Sequence, residues 1–137
     1  DGVLRQSDNR VEASLYAGDA GWKDYSVSVD FQMLGGYGGL IGRMDSRGDF
    51  YMLEIRARSI RLVKWMDETW TPLSVHDVPF VKGSWYTVSL SFRGSRIDMR
   101  LDGVPIGEPV YDASIEEGRI GLRTSFGVMA FDNVVVD

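Results

Sequence analysis

The ionisable side chains of this chain offer few of the arrangements that catalysis needs. His76 is the only histidine, and a Ser–His–acid triad would have to be built on that one imidazole. The sequence has no Gly-x-Ser-x-Gly, His-Glu-x-x-His or Gly-x-x-x-x-Gly-Lys motif, which would indicate a serine nucleophile, a catalytic zinc or a phosphate site. The neighbouring carboxylates Glu116 and Glu117, and the pair Asp45 and Asp49, lie beside turns. We therefore predict no catalytic residues and a protein that is not an enzyme.

Two tryptophans and several charged residues indicate binding instead. Trp65 and Trp70 lie in a polar, turn-rich segment between two strand-like runs. Proteins that bind sugars stack aromatic rings on the CH-rich faces of the sugar, and they bind its hydroxyl groups with Arg, Asp, Glu and Asn. Each tryptophan either caps one end of the core or forms a stacking platform, and the sequence alone leaves both readings open.

A second group of candidates follows from the alternation of residue types. In residues 50–57 the odd-numbered positions are apolar, so Glu54 and Arg56 are expected to point away from the core. By the same alternation Arg43 and Arg123 point outward on neighbouring strands. These four side chains form either the polar floor of a ligand site or an ordinary surface of weak ion pairs. A register error of one residue would reverse every assignment.

Tyr37 stands in the glycine-rich stretch 35–39, Gly-Gly-Tyr-Gly-Gly. The stretch joins one strand-like run to the next and no helical pattern follows it, so it is not a phosphate-binding loop. It is either a β-turn or bulge, or a loop at the rim of a binding site that exposes Tyr37 to a ligand.

The positioning elements are predicted to be β-strands. Residues 25–33, 85–92 and 97–101 alternate apolar and polar side chains, which places one set on a core and the other in water. Turn signals such as Asp102–Gly103 and Arg93–Gly94–Ser95 recur at short intervals. The only helical candidate is a single turn within residues 112–117. We predict an all-β, two-sheet antiparallel sandwich of about ten to thirteen strands in a single domain, residues 1–137.

The composition excludes several classes of protein. Apolar residues make up 44% and charged residues 26%, which is typical of a globular domain. The net charge of −5 argues against a nucleic-acid partner, and no apolar run is long enough to span a membrane. With no cysteine there is neither a disulfide framework nor a thiolate metal site. Because the chain begins with Asp1 rather than Met, we expect a module excised from a larger protein.

Several short motifs resemble a known group of domains, the concanavalin A-like jelly rolls of carbohydrate-active proteins. The motifs are Trp22-Lys-Asp-Tyr-Ser-Val, Gly39-Leu-Ile-Gly-Arg, Trp85-Tyr-Thr-Val-Ser-Leu, Gly118-Arg-Ile-Gly-Leu-Arg-Thr and Phe131-Asp-Asn-Val-Val-Val. They are similar to family 66 carbohydrate-binding modules, to the lectin-like domain of galactocerebrosidase and to laminin G-like domains. The Glu-x-Asp-x-x-Glu motif of the family 16 glycoside hydrolases, which share the architecture, is missing.

This resemblance implies a function and a cofactor. It implies a non-catalytic module that holds an attached glycoside hydrolase on a polysaccharide or oligosaccharide, in a secreted or extracellular protein, and that is itself monomeric. The ligand-binding candidates are Tyr37, Arg43, Glu54, Arg56, Trp65, Trp70 and Arg123. It also implies a structural Ca²⁺ at Asp132, near the glycine loop that contains Asp19, with Asp24 as a further ligand. The alternatives are a laminin G-like interaction module and a structural sandwich that completes a neighbouring catalytic domain.

Overall fold

The structure is a computed structural model that describes residues 3–6, 12–125 and 129–137. Within these ranges the chain forms thirteen β-strands and no helix. The strands are β1 (Val3–Gln6), β2 (Glu12–Ala17), β3 (Tyr25–Met33), β4 (Tyr37–Met44), β5 (Phe50–Arg56), β6 (Ser59–Met66), β7 (Thr69–Asp77), β8 (Trp85–Arg93), β9 (Arg96–Leu101), β10 (Val104–Pro105), β11 (Val110–Tyr111), β12 (Arg119–Ser125) and β13 (Met129–Val136). No helix long and apolar enough to cross a membrane occurs in the same ranges.

The strands form two sheets, here called sheet 1 and sheet 2. Sheet 1 has the order β1-β13-β3-β8-β9-β10, with β11 also paired to β9, and sheet 2 has the order β2-β12-β4-β5-β6-β7. Every strand pair in the described residues is antiparallel. The predicted all-β two-sheet sandwich is therefore confirmed, and sheet 2 is a continuous surface of six strands.

The main core lies between the two sheets and follows the alternation of the sequence. Every second residue of β3 is buried, from Tyr25 to Met33. In sheet 2, Leu40, Leu53 and Leu62 lie opposite one another on three neighbouring strands and are at most 1% exposed. Burial of this kind contributes about 25 cal/mol for each Å² of apolar surface, so these inward rows fix the register of both sheets.

The turns take the conformations that their residue types predict. Asp102 and Gly103 both have positive φ angles, 50° and 81°, which is the geometry of a two-residue hairpin turn between β9 and β10. Gly94, between β8 and β9, also has a positive φ of 57°. Both predicted hairpins are confirmed.

The helical turn predicted within residues 112–117 is wrong, because a polar cluster holds this segment in an irregular conformation. Asp112 accepts hydrogen bonds from the Tyr51 hydroxyl and from Lys64 Nζ at 2.9 Å, and Lys64 also bonds Ser114. The backbone N–H of Ile115 donates to the Tyr51 hydroxyl at 3.2 Å. Partial burial alone would raise the pKa of Asp112, but the hydrogen bonds from Tyr51 and Lys64 outweigh it and lower that pKa to about 2.

Candidate functional site

The outer faces of the two sheets differ in character. In the middle of β3 and β8 in sheet 1 the outward residues are small or polar: Ser26, Ser28, Asp30, Ser89 and Ser91. The outer face of sheet 2 instead carries a second hydrophobic cluster of Ile41, Phe50, Met52 and Val63, which are 0–5% exposed. Outward residues of a two-layer sandwich are normally half in water. Burial to this degree means that other side chains cover them.

The first part of that cover is an arginine–glutamate cluster at the centre of the face. Glu54 on β5 accepts hydrogen bonds at one oxygen, Oε1, from Arg56 Nε at 2.9 Å and from Arg61 Nε at 2.7 Å. Arg61 Nη2 lies 2.6 Å from the same oxygen. Arg61 faces Glu54 from the neighbouring strand β6. The hydrogen bond that Arg56 donates to Glu54 raises the pKa of Arg56 and holds its guanidinium in one orientation.

Aromatic rings fix two of the guanidinium groups. Arg56 lies over Tyr37 with Cζ 4.7 Å from the ring centroid, and Arg123 lies over Trp70 at 5.5 Å. A guanidinium within about 6 Å of a ring centroid is attracted to the face of the ring. Both cations are therefore held over the face of an aromatic ring.

The contact between Arg123 and Trp70 also shows that sheet 2 is curved. Arg123 is on β12 and Trp70 is on β7, and β4, β5 and β6 lie between these two strands. In a flat sheet, four steps between neighbouring strands span about 19 Å. The two side chains meet over the intervening strands because the sheet bends toward this side. We call this surface the concave face and define it by Tyr37, Glu54, Arg56, Arg61, Trp65, Trp70 and Arg123, with the apolar cluster as its floor.

The tryptophans form one wall of the concave face. Trp65 and Trp70 are paired across β6 and β7, with ring centroids 4.8 Å apart and planes tilted by 50°. Trp70 also meets Phe50 edge to face, with centroids 5.7 Å apart. Trp65 packs against the floor, whereas Trp70 remains 43% exposed. Of the two rings, Trp70 offers more surface to a ligand.

The structure brings six of the seven predicted ligand-binding residues onto one face: Tyr37, Glu54, Arg56, Trp65, Trp70 and Arg123. Tyr37 lies at the start of β4 rather than in a loop, because the turn before it consists of Gly35 and Gly36. The ligand-binding role of these six residues stays a prediction.

Arg43, the seventh predicted residue, is not on the concave face. A β-bulge in β4 sets Gly42 and Arg43 opposite Ile120, so that the alternation breaks and the side chain of Arg43 turns into the sandwich. Arg43 has a φ of 50° and is 2% exposed. The prediction that Arg43 points outward is therefore wrong.

Inside the sandwich the guanidinium of Arg43 fastens three loops together. Nε and Nη2 both donate to the carbonyl of Lys23, and Nη1 donates to the carbonyls of Gly94 and Ile115. Nη2 also donates to Asp24 Oδ1, and all five distances are 2.8–3.3 Å. These five bonds use the whole donor capacity of the group. Burial lowers the pKa of Arg43, while the nearby charge of Asp24 acts in the opposite direction. The role of Arg43 is structural.

The three predicted calcium ligands do not form one site. Asp19 Oδ1 accepts the N–H of Gly21 at 2.7 Å, and Asp24 Oδ1 accepts Gly94 N–H at 2.9 Å. Asp132 Oδ1 accepts the N–H of its neighbour, residue 133, at 2.8 Å. The described part of the chain contains no group of three or more His, Cys, Asp or Glu residues that could hold a metal ion. Calcium binding by one of these aspartates with backbone carbonyls stays a prediction.

Arg61 is the functional candidate that the sequence reasoning missed. Glu54 and Arg61 are equally distant from the turn at Ala57 and Arg58, so they face each other in the β5–β6 hairpin. This equal spacing about the turn is the sequence signal that could have identified Arg61 as the partner of Glu54.

Comparisons with solved structures identify the fold. The carbohydrate-binding module CBM66 from Bacillus subtilis matches with a TM-score of 0.77 at 16% identity, over 96% of this chain and 98% of that one. Caenorhabditis elegans galectin LEC-6 matches with a TM-score of 0.73 at 10% identity, over 97% and 95% of the two chains. A toad ovary galectin in complex with thio-digalactose matches with a TM-score of 0.66 at 14% identity, over 91% and 98%.

The chain therefore has a concanavalin A-like jelly-roll fold, which confirms the predicted resemblance in architecture. No protein-family model matches the sequence, and no curated protein matches it. At these identities the solved structures establish the fold alone, and function must be argued from the site.

Proposed function

We propose that the chain is a non-catalytic carbohydrate-binding module and that its concave face binds the saccharide. The observation that carries the proposal is the partly exposed ring of Trp70 beside the arginine–glutamate cluster, both above the buried apolar floor of the face. Sugars need both kinds of surface, because their rings have apolar CH faces and polar hydroxyl edges.

The polar groups of the face suit the hydroxyl groups of a sugar. Glu54 uses only Oε1 for its contacts with Arg56 and Arg61, and within the described residues its Oε2 has no hydrogen-bond partner. This oxygen accepts from a hydroxyl group, while the adjacent guanidinium groups donate to another. Charge-assisted hydrogen bonds of this kind are about twice as strong as those between neutral groups.

The similar structures support this assignment, since CBM66 is a carbohydrate-binding module and the toad galectin holds thio-digalactose. On this basis we also propose the wider context: a monomeric module of a secreted, multidomain protein that holds a glycoside hydrolase on a polysaccharide. Single sugar contacts are weak, so the expected binding free energy is about −4 to −8 kcal/mol, which corresponds to dissociation constants from millimolar to micromolar.

The test is affinity gel electrophoresis of the wild type and two tryptophan variants through a panel of soluble polysaccharides. Trp70→Ala removes the exposed ring of the concave face, and the matched control Trp85→Ala removes a ring of equal exposure, 44% against 43%, from sheet 1. We expect retardation of the wild type by one class of glycan. Trp70→Ala should weaken it about tenfold, and Trp85→Ala should leave it unchanged.

Thermal melts of both variants establish that they are folded. Equal retardation of folded Trp70→Ala and wild type would contradict the location of the site. If no polysaccharide in the panel retards the wild type, the proposed function itself is wrong.

A further inference from the structure

We infer that the saccharide bound at the concave face carries a carboxylate group, as a uronic acid does. This inference rests on the proposed function and specifies the class of its ligand. Two guanidinium groups, those of Arg56 and Arg61, share a single carboxylate oxygen of Glu54 at the centre of the face, and the guanidinium of Arg123 lies over Trp70 on the same face.

Asp77 lies at the border of the face. By strand register it belongs to the same side of sheet 2 as the two arginines at Glu54, but it stands on the edge strand β7. The whole chain carries a net charge of −5. The arginine cluster on this face is positively charged on a chain whose net charge is negative. This contrast points to an anionic partner.

The guanidinium groups retain donors for such a partner. Arg56 gives only its Nε to Glu54, and in the described part of the chain its two terminal amino groups have no hydrogen-bond acceptor. The ring of Tyr37 lies beside this guanidinium, with Cζ 4.7 Å from the ring centroid, and helps to hold it in place. A planar fork held in this way matches the two oxygens of a carboxylate.

The arrangement of Glu54 also favours an acidic ligand over a neutral one. Both Arg56 and Arg61 converge on one of its oxygens, so one negative charge serves two cations. A neutral sugar would leave the second positive charge without a counter-charge in a partly desolvated groove, where Coulomb interactions are stronger than in water. A carboxylate on the ligand supplies that counter-charge.

The experiment compares polymers that differ only in charge. Polygalacturonate, alginate and hyaluronan are each used beside their carboxyl-reduced forms, dextran sulfate beside dextran, and neutral levan, galactan and glucan complete the panel. Because the net charge of −5 repels polyanions, non-specific retention of the wild type is disfavoured. We expect retardation by a carboxylated polymer, loss of it in the reduced form, and weakening in high salt.

Arginine variants locate the interaction. Arg123→Gln and Arg56→Gln should each lower affinity for the carboxylated polymer about tenfold. Arg96→Gln is the matched control, because it removes the same charge from sheet 1, where Arg96 pairs with Asp98. A similar loss in Arg96→Gln would overturn the inference, since it would indicate an effect of overall charge.

The remaining outcomes separate this inference from the proposed function. Retention on neutral or carboxyl-reduced polymers that is lost in Trp70→Ala supports the proposed function and overturns the acidic ligand. Retention on dextran sulfate alone overturns the carboxylate in favour of a sulfate group. Absence of retention on every polymer overturns both.

Discussion

The hydroxyl of Tyr25 accepts a hydrogen bond from the backbone N–H of Arg43, with the two heavy atoms 2.7 Å apart. Burial raises the pKa of Tyr25, so the hydroxyl stays protonated and also donates weakly to the carbonyl of Gly118 at 3.4 Å. The contact lies at the bulge of β4. It fixes the backbone of Arg43 at a φ of 50°, a conformation that residues other than glycine seldom adopt. The bulge in turn directs the guanidinium of Arg43 into the sandwich.

Replacing Arg43 by lysine is expected to destabilise the domain by about 3 kcal/mol. An ammonium group has three donors on a flexible stem and cannot reach all the carbonyls that the planar guanidinium binds. Some of the part-buried carbonyls of Lys23 and Gly94 and the buried carbonyl of Ile115 therefore lose their partner. Urea denaturation of wild type and Arg43→Lys measures the difference. The control Arg47→Lys changes a side chain that is 70% exposed and should cost less than about 0.5 kcal/mol. Equal midpoints for Arg43→Lys and wild type would be incompatible with the structural role.

Glu54→Gln is expected to reduce saccharide affinity about tenfold while leaving the domain folded, because the loss of fixed arginine orientation outweighs the removal of one negative charge near the ligand. The substitution keeps the shape of the side chain but removes the charge that orients Arg56 and Arg61. Both arginines are partly in water, 44% and 28% exposed, so the loss of stability should be only about 1 kcal/mol.

Titration calorimetry with the polysaccharide that retards the wild type measures this affinity, and urea denaturation measures the stability. Asp98→Asn is the control, since it breaks a comparable arginine pair on sheet 1. Unchanged affinity in Glu54→Gln would remove the arginine–glutamate cluster from the site.

The sequence predicts those parts of the fold that depend on local alternation. The buried positions of β3, the hairpin turn at Asp102–Gly103 and the outward direction of Glu54, Arg56 and Arg123 all follow from period two and from turn chemistry. Each of these features is set by neighbours in sequence, which is why the pattern of a single strand is sufficient to find them.

Other features depend on contacts between distant segments. The inward turn of Arg43 requires a bulge, and the bulge is held by Tyr25 and by carbonyls from three loops. The meeting of Arg123 with Trp70 requires the curvature of a whole sheet. Neither the bulge nor the curvature leaves a signal in the residues beside these side chains, so alternation alone could not find them.

The calcium prediction is tested by thermal melts in EDTA and in millimolar calcium. Calcium bound by the native state would raise the melting temperature by mass action, and Asp132→Asn would remove the increase. The structure gives Asp19, Asp24 and Asp132 separate local partners, so a site would consist of one aspartate with backbone carbonyls. Identical melting temperatures in the two buffers would exclude a structural calcium ion.

Acid should destabilise the domain through Asp112. Its pKa in the folded state is about 2, below the ordinary value of 3.8. A carboxyl group whose pKa is lowered by folding contributes stability that is fully present above its unfolded pKa and is lost as the pH falls toward its folded pKa. The loss should therefore occur between about pH 4 and pH 2 and amount to about 1–2 kcal/mol.

Asp112→Asn isolates this effect, because the amide keeps the size of the side chain but does not titrate. Its free energy of unfolding should be lower than that of the wild type at pH 7, where Tyr51 and Lys64 lose a charged acceptor. It should also fall less steeply than the wild type between pH 4 and pH 2. Asp77→Asn, at an exposed position of β7, should retain the wild-type slope. If the slopes of Asp112→Asn and the wild type coincide, the acid sensitivity arises from other carboxylates.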